Sequence, residues 1–179
     1  LPLLNEAAIV PMRLDAVAGQ RVQDMLADPA RTIPDWSLKR EYRSTYRGHL
    51  VATEKLSAGT WPPVQMDPGQ PIPVSVEQGL METLQLRLGD ELLFDVQGLP
   101  LTTRVAAVRT VDWRSMQPNF FVVFPAGVLE SAPQTLALFT RADTAGSAAL
   151  QRRLARELPN VTALDVALIL ETVNTLVAR

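Results

Sequence analysis

The sequence predicts an α+β protein in which a β-rich subdomain is inserted into a discontinuous α/β subdomain. Three observations predict this. Apolar residues alternate with a period of two in several stretches before residue 125. The prolines and Gly-containing turns cut those stretches into short strands. After residue 134 the pattern changes to strand, helix, strand, helix, the unit of an α/β layer. The expected boundaries are 1–34 plus 131–179 for the α/β subdomain and 35–130 for the insert.

The first expected strand is 10–17, with Val10, Met12, Leu14 and Ala16 on one face and Pro11, Arg13 and Asp15 on the other. Ala18-Gly19-Gln20 breaks it, and 20–27 reads as a short helix stopped at Asp28-Pro29. A second strand is expected over 41–51, with Tyr42, Ser44, Tyr46 and Leu50 opposite Arg43, Thr45, Arg47 and His49. Ser57-Ala58-Gly59, Trp61-Pro62-Pro63 and Asp67-Pro68-Gly69 then read as a long, semi-rigid loop.

Ile72, Val74 and Val76 alternate as a strand, and 77–85 reads as a helix with Leu80 and Leu84 on one face. Gly89-Asp90 marks a turn. Two strands, 91–96 and 101–111, are joined at Gln97-Gly98, a hairpin signal. The apolar run 119–124 suits a strand covered on both faces. Farther on, 135–141 is an expected strand, 147–158 an amphipathic helix bearing Leu150, Leu154 and Leu158, and 161–166 another strand. The stretch 167–179 is expected to be helical, with Ile169, Val173 and Leu176 in register. The strand 10–17 is expected in the sheet of this last β-α-β unit, burying Val10, Met12 and Leu14 beside the Leu150 helix.

Composition excludes several function classes. The formal net charge is −2, which gives no broad footprint for a polyanion. Arg40, Arg43 and Arg47 with Tyr42 and Tyr46 resemble a nucleic-acid face, but the alternation puts the tyrosines opposite Arg43 and Arg47. No nucleic-acid partner is expected. The fifteen Arg against two Lys fit a coding bias or a demand for planar guanidinium groups at interfaces. There is no cysteine and one histidine, His49, so no thiolate, no Cys-ligated zinc and no Ser-His-Asp system is expected. The phosphate loop G-x-x-x-x-G-K-[ST] and the dinucleotide fingerprint G-x-G-x-x-G are both missing. The expectation is a non-enzyme without cofactor or metal.

Six phrases in order carry a resemblance. They are Val10-Pro-Met-Arg-Leu14, Arg40-Glu-Tyr-Arg-Ser-Thr-Tyr-Arg47, Leu86-Arg-Leu-Gly-Asp90, Val111-Asp-Trp113, Asn119-Phe-Phe121 and Leu158-Pro-Asn-Val-Thr-Ala-Leu-Asp-Val166. Together they resemble the large first extracytoplasmic domain of MacB/FtsX-like ABC-transporter permeases, in the branch described as the lysophospholipase-biosynthesis type. The resemblance implies a porter-like α/β subdomain with a β-rich insert, in a periplasmic domain of a bacterial inner-membrane protein. It implies a separate cytoplasmic ATP-binding subunit that moves the domain as a lever. It further implies extraction or export of a hydrophobic or lipid-like substrate, or action on a periplasmic partner. The resemblance implies another strand and helix before the first phrase, whereas nine residues precede it here, so the α/β layer is expected to lack one strand partner. At the other end, 167–179 would reach about 20 Å as a helix, suited to entering a membrane.

The alternative is a free-standing periplasmic lipid- or ligand-binding protein with its pocket in the insert. An enzyme is kept open only by unassigned carboxylates. The candidate contact residues are Arg43, Arg47 and Trp61, because Arg and aromatic side chains dominate protein contacts. Trp61 lies in a proline-braced loop, and Trp113 ends a strand. Core burial is an equal alternative for Trp61 and the plainer reading for Trp113, beside Val111.

Overall fold

The structure, a computed structural model, describes residues 1–115 and 117–166. The expected helix 167–179 lies outside the described residues. The chain forms two compact units, Ala7–Ala137 and a second made of Leu1–Glu6 with the chain from Leu138 on. Helices and strands are mixed throughout, so the fold is α+β.

In the larger unit, β1 (Leu3–Val17) enters and turns at Ala18-Gly19 into β2 (Gln20–Arg21), followed by α1 (Val22–Ala27) and α2 (Asp35–Lys39). Next come β3 (Tyr42–Tyr46), β4 (Glu54–Gly59), β5 (Ile72–Glu77), α3 (Gln78–Thr83), β6 (Glu91–Val96), β7 (Leu99–Val111) and β8 (Val122–Phe124). Six of these strands pair in a closed ring. β1 lies antiparallel to β3, β3 parallel to β8, β8 antiparallel to β5, β5 parallel to β7, β7 antiparallel to β6, and β6 antiparallel to β1. Closure leaves no open edge in the ring, which is how a small sheet avoids edge-to-edge association. β4 adds to the far end of β7.

The alternation of each strand sends one face inward. Val10, Met12 and Leu14 of β1 meet Tyr42, Val74, Val76, Phe94, Val105 and Phe124 in one buried cluster. A second cluster, Ala7, Trp61, Ala107, Phe120 and Val123, covers the other face of β7 and β8. The apolar run at 119–124 is therefore buried on both sides, as its continuity implies.

Local signals explain the turns. Gln97 and Gly98 both have positive φ, as a two-residue hairpin turn requires, and Asp95 Oδ1 accepts from the Gly98 N–H at 2.6 Å. Glu77 caps α3 by accepting the Leu80 N–H at 2.8 Å. That helix ends with Gln85 left-handed and the Leu86 N–H bonded back to the Met81 carbonyl, with both side chains buried.

Several expectations need correction. The strand 10–17 lies in the β-rich ring, paired with β3 and β6, and its apolar face meets the aromatic core of that ring. In the structure 7–34 and 131–137 group with 35–130. The strand expected over 41–51 stops at Tyr46, where Gly48 and the following bend intervene. Ser57-Ala58-Gly59 belongs to β4, not to a loop. Gly59 is needed there because of its positive φ and because a Cβ would lie 2.8 Å from Ala107 Cα on β7.

The second unit holds β9 (Thr135–Thr140) from Leu138 on and α4 (Thr144–Glu157). Thr140 Oγ1 donates to the Pro2 carbonyl at 2.6 Å. Asp143 caps α4 by accepting the Gly146 N–H at 2.7 Å. The helix expected over 147–158 is present, yet α4 buries none of its residues among the described ones. Residues 161–165 are not a strand, a further correction; the Pro159-Asn160 turn leads into irregular chain there.

Candidate functional site

The least ordinary chemistry of the larger unit is a charged network on the Ala107 face of β7. Arg109 on β7 is completely buried. Its Nε donates to Glu54 Oε2 at 2.8 Å, its Nη1 donates to the Phe121 carbonyl at 3.2 Å, and its Nη2 donates to the Phe120 carbonyl. Glu54 also accepts from Arg47 Nη2 at 2.7 Å and from the Val51 N–H at 3.1 Å. Burial pulls the Arg109 guanidinium below its usual range, and Glu54 opposes that shift. A buried ion of either sign is tolerated only with such partners.

The consequence of this network is positional. Arg109 holds two consecutive carbonyls of the chain leading into β8, and so fixes where the Phe121 ring stands. That ring is one wall of a surface cluster. Arg40, which follows α2, places its guanidinium carbon 4.7 Å from the Phe121 centroid, 5.1 Å from that of Tyr42 and 5.9 Å from that of Trp36. Trp113 packs on Phe121 with centroids 5.0 Å apart. The Tyr42 hydroxyl donates to the Ser37 carbonyl at 2.6 Å, and Arg13 Nη1 donates to the Lys39 carbonyl at 2.7 Å, so α2 is tied to β3 and β1. Burial pushes the Tyr42 phenol up, against a smaller lowering by Arg40. Trp36 remains 52% exposed and Trp113 46%.

The sequence-predicted contact residues do not come together. Trp61 is 8% exposed, in the second core cluster with Phe120 and Val123, so its proline-braced loop is packed down. Arg47 is turned into the Glu54 network and stands over the Phe120 ring at 5.7 Å. Only Arg43 has an exposed side chain, 3.9 Å from Glu41. Trp36 and Arg40 as a caged pair were not foreseen. Their four-residue spacing was available, but α2 is one turn long and gives little periodic signal. His49 lies in the irregular chain after β3. Among the described residues, no three His, Cys, Asp or Glu side chains gather as a metal-binding group. Among them, too, no helix is long and apolar enough to cross a membrane.

The chain is 31% identical over 170 residues, 95% of its length, to a segment of YbbP of Escherichia coli (strain K12), described as an uncharacterized ABC transporter permease. The chain spans a fifth of the length of that permease. No family model matches the chain. A crystal structure of a domain of a permease protein from Porphyromonas gingivalis overlays with a TM-score of 0.38 at 9% identity, over 92% of this chain and 67% of that one, a likeness too distant to carry an argument.

Proposed function

We propose that the chain is an extracytoplasmic domain of a MacB/FtsX-like ABC-transporter permease. It couples ATP hydrolysis on a separate cytoplasmic subunit to export or extraction of a hydrophobic or lipid-like substrate, or to action on a periplasmic partner. The observation that carries this reading is the 31% identity to a permease segment across nearly the whole chain. The ordered phrases from Val10-Pro-Met-Arg-Leu14 to Leu158-Pro-Asn-Val-Thr-Ala-Leu-Asp-Val166 support the branch, and with it the porter-like character of the unit from Leu138 on. A closed ring with a dense core suits a lever, because close-packed interiors deform little and pass displacement on. Arg43 belongs to this reading as an exposed contact residue.

The test is topological. Alkaline phosphatase is inserted in the complete gene product at the exposed loop around Val64, beside a parallel insertion of a cytoplasmic reporter. Phosphatase activity with a silent cytoplasmic reporter is expected. The reverse pattern sinks the reading.

A further inference from the structure

The cluster around Arg40 has the composition of a recognition site and an unmet charge at its centre. Arg40 is part-buried among the rings of Trp36, Tyr42 and Phe121, and its Nε is buried without an acceptor. No carboxylate pairs with it among the described residues. Ring faces stabilise a cation from above and below, but they leave the in-plane N–H groups of a guanidinium seeking an oxygen. The cations around it are differently placed. Lys39 pairs with Asp35 at 3.1 Å, Arg43 stands 3.9 Å from Glu41, Arg114 stands 3.5 Å from Asp112, and Arg13 donates to a backbone carbonyl.

We propose that Trp36, Arg40 and Trp113 form a docking site for a partner-protein segment whose carboxylate (Asp, Glu or chain terminus) adjoins a large apolar side chain. The carboxylate meets the in-plane edge of Arg40, and the apolar side chain covers the half-exposed indoles. Trp and Arg are the residue types that most often dominate protein contacts, at the centre of a patch with a polar rim. The mixed-sign rim favours one carboxylate over an anionic bilayer, since Asp35, Glu41 and Asp112 would repel a sheet of phosphates. The buried Arg109 network supports the site by fixing Phe121. The proposal deepens the partner arm of the permease-domain reading. Its test needs only the isolated 179-residue chain, so failure here leaves the topology result standing.

The chain is labelled with nitrogen-15 and titrated with an array of short peptides, each carrying one Asp or Glu at a set distance from one Leu, Phe or Trp. The readouts are the Arg40 Nε–H and the indole N–H signals of Trp36 and Trp113, with buried Trp61 as internal reference. Carboxylate peptides should shift the first three and leave Trp61 still, while their Asn or Gln counterparts bind at least about tenfold more weakly. Arg40→Gln, and separately Trp113→Ala, should abolish the shifts with the Trp61 signal unmoved. The proposal is overturned if no peptide shifts these signals, or if the amide counterparts bind equally. Response to phosphatidylglycerol vesicles in place of the peptides overturns it as well.

Discussion

Arg109 and Glu54 illustrate how one buried pair organises side chains that lie far from it in sequence. Glu54 holds two guanidinium groups, and Arg109 in turn holds two carbonyls of the chain that carries Phe121. Replacing one member leaves the others charged without a counterion, a change that costs about 3–5 kcal/mol in buried pairs. Glu54→Gln is therefore expected to lower stability by about 3 kcal/mol, seen as a fall in urea midpoint with an unchanged slope. A loss below about 1 kcal/mol would mean that water already reaches the network. Tyr42 gives a pH dependence with a definite sign. Its folded-state pKa is raised by burial above the ordinary value near 10. The neutral phenol thus contributes stability that is fully present below about pH 10 and lost as pH rises toward the folded value. Tyr42→Phe should cost about 1 kcal/mol at neutral pH, from the lost bond to the Ser37 carbonyl. It should also flatten the decline above pH 10, read from urea midpoints at neutral and alkaline pH. An unchanged decline refutes the assignment to Tyr42.

Among the elements, β4 is the most instructive, because its glycine serves contact between strands and not chain reversal. The strand crosses close to β7 with a register shift between Leu56 and Ala58, and Gly59 lies against the backbone of Ala107. Gly59→Ala adds a methyl group where φ is positive and the neighbouring atoms are backbone, which cannot swing aside. A loss of about 2–3 kcal/mol is expected by thermal or urea unfolding, and a neutral result would show that β4 can drift off β7. What the sequence made legible follows from the range of each signal. The Gln97-Gly98 hairpin, the Glu77-capped helix and the doubly buried β8 rest on neighbours within a few residues, and all are present. The pairing of β1 with β3 and β6, and of β5 with β7, depends on contacts across dozens of residues, to which a period of two is blind. The same limit hid the candidate site. Arg40, Arg43 and Arg47 look alike in the sequence, yet the fold joins Arg47 to Glu54, leaves Arg43 in solvent and seats Arg40 between aromatic rings. Trp61 stood between contact and core because a proline-rich loop signals an extended path without telling which side packs; it is buried.

For the whole molecule, both buried clusters, the ring-paired residues of all six strands and the charged network are drawn from the unit Ala7–Ala137. Trimming at Ala7 spares every β1 residue paired with β3 and β6. By contrast, α4 in the other unit contributes no residue to a buried core among those described. Cooperative stability follows buried apolar contact, and backbone bonds in exposed elements open first. A fragment of residues 7–137 should therefore fold alone, unfold in one transition and keep the aromatic near-ultraviolet spectrum of the full chain. In the full chain, amides of β5, β7 and β8 should exchange slowest, near the global unfolding limit, and those of α4 much sooner. Two results would oppose this division: a fragment 7–137 without cooperative unfolding, or α4 amides as protected as those of β7. Either would mean that stability is not confined to the core of the ring.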